Sequence, residues 1–198
     1  MTVKTETRTL SRSPELRATG TGRTLTGYAA VFNSPADIGG AWIETIERGA
    51  FTRALEGDIV AIIGHDRNRV IGRTGAGTLR LSEDDKGLRF EIDLPDTTDG
   101  RDVAVSVERG DIGGMSFGFS VTRQQWDETT EPPQRTIQQV ELYEITVTAF
   151  PAYPDTSVGL RSLDDARKEA AIAAREAKRS HIDRRLRMRA QLDIRSRA

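Results

Sequence analysis

From Thr24 to Phe150 the chain runs in short apolar segments rich in branched residues, broken by Gly, Asp or Pro at short intervals. That rhythm favours strands joined by tight turns, in a mainly antiparallel sheet or barrel. The clearest unit is a hairpin: Thr78–Leu81 leads through Glu83-Asp84-Asp85-Lys86-Gly87 into Leu88–Leu94. In its second arm Leu88, Phe90, Ile92 and Leu94 share one face and Arg89, Glu91 and Asp93 the other, the period of two of a half-buried strand. Helices are expected at three places. Gly49–Leu55 reads as a short one. Asp99–Arg109 reads as a second, with Thr98 or Asp99 as N-cap, Gly110 to end it, and Val103 and Val107 toward the core. A third starts near Ser162 and is expected to run to Arg195, through a stretch rich in Ala, Arg, Lys and Glu and free of Gly and Pro.

This division predicts one domain with its own core, residues 1–161, and a basic helical or disordered tail, residues 162–198, within a chain of 198 residues. Charge follows the same line. Residues 161–198 hold 12 Lys/Arg against 6 Asp/Glu, a net of +6, which leaves −7 on residues 1–160 of a chain whose total is −1. So balanced a total gives no reason to expect a specific nucleic-acid partner. No run approaches the roughly 18 apolar residues of a membrane span. Met1–Ser13 is polar and lacks the apolar stretch of a signal peptide, so export is not expected. With no cysteine, disulfides, thiol catalysis and Cys-ligated zinc drop out, and His65 and His181 alone make a histidine-rich metal site improbable. No cofactor or metal is expected. The chemistry must come from hydroxyls, carboxylates and imidazole.

Three segments could carry it. In Gly113–Val121, Met115, Phe117, Phe119 and Val121 alternate onto one side, which puts Ser116 on the other, between Gly114 and Gly118. A strand burying its aromatic face would present Ser116 outward, with the two glycines leaving room for a substrate. A serine on the solvent face of a strand is also commonplace. His65 ends an apolar run, Asp58–Ile63, and could serve as a general base or simply as a packed or capping histidine. The neighbouring Asp66 suggests a metal phosphohydrolase, but such a site needs more His and Asp ligands than the sequence offers around it. In Val140–Pro154, Tyr143, Ile145 and Val147 share a face, leaving Glu144 on the other with Leu142, Thr146 and Thr148. A carboxylate within a β-rich run needs a partner, either a basic side chain or an imidazole N–H.

Taken together the segments resemble a family. Gly27-Tyr28-Ala29-Ala30-Val31-Phe32-Asn33, Gly49-Ala50-Phe51, Gly64-His65-Asp66, Ile71-Gly72-Arg73-Thr74, Gly77-Thr78-Leu79, Arg109-Gly110-Asp111-Ile112, Met115-Ser116-Phe117-Gly118-Phe119, and Leu142-Tyr143-Glu144 followed by Pro151-Ala152-Tyr153-Pro154 occur in the order seen in tailed-phage prohead maturation proteases. The resemblance covers roughly residues 4–161. It implies kinship with herpesvirus assemblins and an α+β, mainly β fold: a closed, mostly antiparallel barrel flanked by helices, with the active site on its outside and a charged C-terminal helix.

The resemblance also implies a serine endopeptidase with Ser116 as nucleophile and His65 as general base. Glu144 is assigned to orient the imidazole, by the general logic of catalytic triads. Glu141 and Asp66 remain rivals for that third place. Backbone N–H groups are expected to receive the oxyanion. The implied substrate is the major capsid protein or its scaffolding segment, cut inside assembling proheads in the host cytoplasm, with cleavage of the protease itself. The basic tail suits docking on an acidic scaffolding segment or on the −7 body of another copy. The competing reading is a capsid scaffold or assembly factor that keeps the fold without turnover.

Overall fold

The computed structural model describes residues 5–149, apart from 11, 14 and 20–22, together with positions 168, 171, 172, 175, 176 and 179. The chain divides into two units, Met1–Pro154 and Asp155–Ala198. Those six tail positions have helical backbone. The rest of the helix expected from Ser162 to Arg195 lies outside the described residues.

The first unit is mainly β. Its strands are β1 (Glu6–Leu10), β2 (Arg17–Thr19), β3 (Thr24–Val31), β4 (Ala36–Asp37), β5 (Ile43–Ile46), β6 (Val60–Ile63), β7 (Asp66–Arg73), β8 (Leu79–Glu83), β9 (Gly87–Asp93), β10 (Gly114–Asp127) and β11 (Gln134–Thr148), with helix α1 at Thr98–Arg109 before β10. One sheet runs β2-β3-β9-β8 and is antiparallel throughout. The other is built on β11. β10 pairs antiparallel along one edge and is flanked by β1, while β5 and β6 pair parallel with the start and end of β11 on its other edge.

The closed barrel expected from the sequence is not found: among the described residues both sheets are open, one ending at β1, β4 and β7 and the other at β2 and β8. A barrel of sequential hairpins would need neighbours in sequence to be neighbours in the sheet. Here β5 and β6 are instead drawn to β11, far downstream, and such parallel pairing requires long connections rather than tight turns.

Local patterning was otherwise a good guide. The 78–94 hairpin forms as β8 and β9, with Leu88, Phe90 and Ile92 fully buried. α1 starts one residue earlier than expected, because the side chain of Thr97 accepts the Gly100 N–H at 3.2 Å and so caps the helix. Gly110 ends it at φ +81°, where a glycine is favoured, and Val103 and Val107 are buried. The short helix expected at Gly49–Leu55 is a run of turns with a single 3₁₀ turn at Ala54–Glu56. So short a segment gains little from helical hydrogen bonds. Its contribution is Phe51, fully buried, edge-on to Phe117 at 5.6 Å between ring centroids. Burial of such a ring stabilises by about 1.5–3 kcal/mol.

Beside this apolar core lies a buried ionic cluster. Arg135, 1% exposed, donates to Glu6 at 2.8 and 2.9 Å and to Glu44 at 2.9 Å. Arg8 bridges the same two carboxylates, at 2.7 Å to Glu6 and 2.5 Å to Glu44. Two positive and two negative charges therefore satisfy one another, and Arg135 also lies over the rings of Trp42 and Trp126. Burial disfavours the Glu6 anion, but the hydrogen bonds and charges of Arg135 and Arg8 outweigh it and hold its carboxyl at about 2.

Removing one member leaves an unpaired buried charge, so Arg135→Met is expected to lower unfolding stability by about 3–5 kcal/mol in urea titrations. Because the folded-state pKa of Glu6 is depressed from 4.5, its stabilisation is complete above about pH 4.5 and is lost as pH falls through about 2. Glu6→Gln should flatten the stability profile across that window. A profile unchanged by the substitution would show that other carboxyls govern acid unfolding.

Candidate active site

β6 and β7 form a hairpin in which Ile63 pairs with Asp66, leaving Gly64 and His65 as the turn. Both have positive φ, +59° and +61°, as a two-residue type I′ turn requires. For glycine this is ordinary. For histidine it is an uncommon conformation of the kind found at functional sites. The Gly64 N–H donates to Val147 O at 3.0 Å, which ties the turn to the end of β11. His65 thereby reaches Glu144, with Nδ1 2.7 Å from Oε1.

The pairing of β10 with β11 arranges the other side chains. Ser116 lies opposite Thr146 and Gly118 opposite Glu144. These four positions share one face of the sheet, while Met115, Phe117, Ile145 and Val147 fill the core on the other. At Gly118 a Cβ would stand 2.9 Å from Glu144 Cγ and 3.3 Å from its carboxyl carbon, so the glycine makes room for the glutamate. The sequence had suggested room for a substrate there; the space is taken.

A β-bulge sits beside this pair, since Gly118 pairs with Glu144 but Phe119 pairs with Leu142. Tyr143 is the extra residue. Leu142 is consequently in the core and Tyr143 is 38% exposed, the reverse of the expected alternation, while Glu144 keeps the face expected for it. Bulges beside functional sites commonly re-aim side chains in this way.

Ser116 is not the exposed residue that the strand pattern predicted; it is 0% exposed. β10 is buried on both faces from Gly114 to Ser120. The Ser116 hydroxyl donates to Arg8 O at 2.8 Å and accepts from Thr9 Oγ1 at 3.0 Å, both on β1. No hydrogen bond joins it to His65 among the described residues. The structure thus brings His65 and Glu144 into direct contact and sets Ser116 on the same face of the adjacent strand. Catalytic hydrogen bonds often tighten only once substrate is bound.

The rivals for the third position lie elsewhere. Glu141 is exposed and accepts from the Tyr143 hydroxyl at 3.1 Å, and Asp66 is exposed and accepts the Asn68 N–H at 2.9 Å. Three features of the site went unrecognised in the sequence: the β1 contacts to Ser116, the accommodation of Glu144 by Gly118, and Thr146. Thr146 Oγ1 donates to Glu144 Oε1 at 3.3 Å. Its position two residues beyond Glu144 on a strand was the available signal, since such residues share a face. Among the described residues no group of three or more His, Asp or Glu side chains is gathered as a metal would require.

A histidine hydrogen-bonded through Nδ1 to a carboxylate, on the sheet face that carries a serine, is an arrangement serine hydrolases use to hold the imidazole while Nε2 handles a proton. Residues 9–169 match the caudovirus prohead serine protease family, and the chain belongs to that family. The prohead protease of Enterobacteria phage HK97 is 31% identical over 159 residues, 76% of this chain and 66% of that protein. The prohead protease of Escherichia phage T5 is 28% identical over 111 residues, 56% of this chain and 49% of that protein. The chain therefore spans just under two thirds of one relative and about half of the other. No solved structure gives a significant match.

Gly118→Ala tests the packing beneath Glu144. The displaced atoms belong to a flexible side chain, so the fold should survive with a stability change of about 1–3 kcal/mol. Glu144 should move away from His65, and cleavage should fall by tenfold or more if one charged hydrogen bond is lost, a contribution of about 1.5–3 kcal/mol. Full activity in a folded Gly118→Ala protein would show that Glu144 tolerates the shift.

Proposed function

We propose that the chain is a prohead maturation endopeptidase that cleaves the major capsid protein or its scaffolding segment inside the assembling prohead, in the host cytoplasm, and cleaves itself. Family membership supports the reaction class, and the 2.7 Å contact between His65 Nδ1 and Glu144 Oε1 is the observation that carries the assignment of roles. Ser116 is the nucleophile, His65 the general base and Glu144 the group that orients the imidazole. In this scheme the Ser116 hydroxyl turns from Arg8 O toward His65 and attacks the scissile carbonyl while Nε2 takes its proton. Backbone N–H groups receive the oxyanion, and the imidazolium returns the proton to the departing amine. Water repeats the sequence on the acyl-enzyme.

The burial of Ser116 favours a second reading, an assembly factor with a protease-like fold and no turnover. Mass spectrometry of the purified chain separates the two, since only the enzyme trims itself. Co-expression with the neighbouring capsid protein, followed by terminal sequencing of the products, would give both activity and specificity.

On the enzyme reading Ser116→Ala and His65→Ala each abolish cleavage in a folded protein, with losses on the order of 10⁶ in rate. Glu144→Gln should cost about two orders of magnitude less, yet more than Glu141→Gln or Asp66→Asn. Near-normal turnover in a folded Ser116→Ala protein would sink the assignment.

The domain limit at residue 161 and the docking role of the basic tail belong to the same proposal. Deleting residues 162–198 is expected to preserve folding and peptide hydrolysis but to reduce incorporation into proheads. The contacts of so basic a segment should also weaken with salt. Unchanged incorporation would move targeting to the body of the protein.

A further inference from the structure

Thr146 is fully buried, opposite Ser116 on the neighbouring strand and two residues beyond Glu144 on its own. Its hydroxyl donates to Glu144 Oε1 at 3.3 Å, the same oxygen that lies 2.7 Å from His65 Nδ1, and Thr146 Oγ1 is itself 3.4 Å from Nδ1. The three polar atoms form a triangle with the carboxylate oxygen at one corner. We infer that Thr146 is a positioning residue that fixes the Glu144 carboxylate against His65, an inference that rests on the reading of Ser116, His65 and Glu144 as a triad.

The need for such a residue follows from what surrounds Glu144. A glutamate side chain has several rotatable bonds and loses substantial freedom when it is fixed. Across the strand it lies over Gly118, which has no side chain to wedge it in place. A single imidazole contact would let the carboxylate swing about its terminal bond. The Thr146 donor takes up a second acceptor direction on Oε1, so rotation now breaks two hydrogen bonds. Threonine suits the role because its branched Cβ restricts the side-chain torsion that aims the hydroxyl. The backbone keeps the parts in register: Thr146 pairs with Ile62 of β6, one residue before the strand ends and two before the turn that carries His65. Thr146 acts through Glu144 and need not touch the substrate.

A threonine that merely satisfied its own buried hydroxyl would behave differently. Its loss would lower stability without altering turnover in the protein that remains folded, and serine would not differ from valine in rate.

The test uses the full chain and a peptide spanning a cleavage junction mapped from the co-expressed capsid protein. Thr146→Val keeps the volume and deletes the hydroxyl. It should lower kcat by about ten- to a hundredfold, the loss expected for one hydrogen bond to a charged group, with KM unchanged. Thr146→Ser, which restores the donor, should recover most of the rate. In the Ser116→Ala background, proton NMR should show the His65 Nδ1–H resonance broadened or exchanging faster in Thr146→Val than in Thr146→Ser. Should Thr146→Val fail to fold, Thr146→Ala removes the same hydroxyl with less crowding. Wild-type kcat and an unaltered Nδ1–H resonance in a folded hydroxyl-less variant would overturn the inference, as would equal losses in the serine and hydroxyl-less variants. Failure of the triad itself shows separately, as activity retained in Ser116→Ala or His65→Ala, and the imidazole resonance is read without turnover.

Discussion

Four charges clustered together, the buried Glu6, Glu44 and Arg135 with the half-buried Arg8, decide where the first strand of this protein can lie. Edge strands are ordinarily the least secure members of a sheet, since only one side is hydrogen-bonded. β1 supplies two of the four charges, and Arg8 also lies over the ring of Phe119 on β10. A slip of one residue would turn Glu6 and Arg8 to the opposite face and deprive Arg135 of its second carboxylate and Glu44 of its second guanidinium. An apolar cluster of the same volume could be as stable, but it would select the register less sharply. Correct register puts Arg8 O and the Thr9 hydroxyl on Ser116. The ionic cluster on one face of the sheet thus governs the surroundings of the serine on the other.

β11 connects that cluster to the histidine. Arg135 lies near its start, beside β5, and Glu144 and Thr146 near its end, beside β6. Between them the pairing with β10 shifts register at three places, and the shift at Tyr143 leaves Leu142 buried while Glu144 remains over Gly118. Parallel pairing with β6 then fixes where the 64–65 turn emerges. The carboxylate, its glycine floor, the threonine and the imidazole all follow from the register of this one strand with its neighbours.

Much of this was legible locally. Alternation identified the core faces of β9 and of the first half of β10, helix-end chemistry located α1 to within a residue, and the same alternation put Glu144 opposite Ile145 and Val147. What escaped depends on partners remote in sequence. That Ser116 would be enclosed could not be read from Gly113–Val121, because the atoms bonded to its hydroxyl belong to β1. Nor could the open sheets be read from the strands themselves, since β5 and β6 each keep one sequential neighbour, β4 or β7, but take the distant β11 on the other edge. The bulge at Tyr143 leaves no compositional trace: Leu and Tyr suit either face of a strand, and only pairing with Phe119 shows which is buried. Thr146 was recoverable from its spacing to Glu144, but a threonine in a strand draws no notice until the carboxylate beside it has a partner.

The turn at Gly64-His65 bears on how a form of this protein without the imidazole should be made for structural work. At φ +61° His65 occupies backbone space that asparagine and glycine enter more readily than most residues. Alanine at 65 would delete the imidazole yet keep a Cβ in the same strained turn. Asparagine or glycine would delete it and relax the hairpin as well, giving a protein with a different stability from the native one. Among variants without the imidazole, alanine is therefore the faithful thermodynamic reference. The asparagine form would be the more robust specimen, because this hairpin keeps a histidine where its backbone alone would favour another residue.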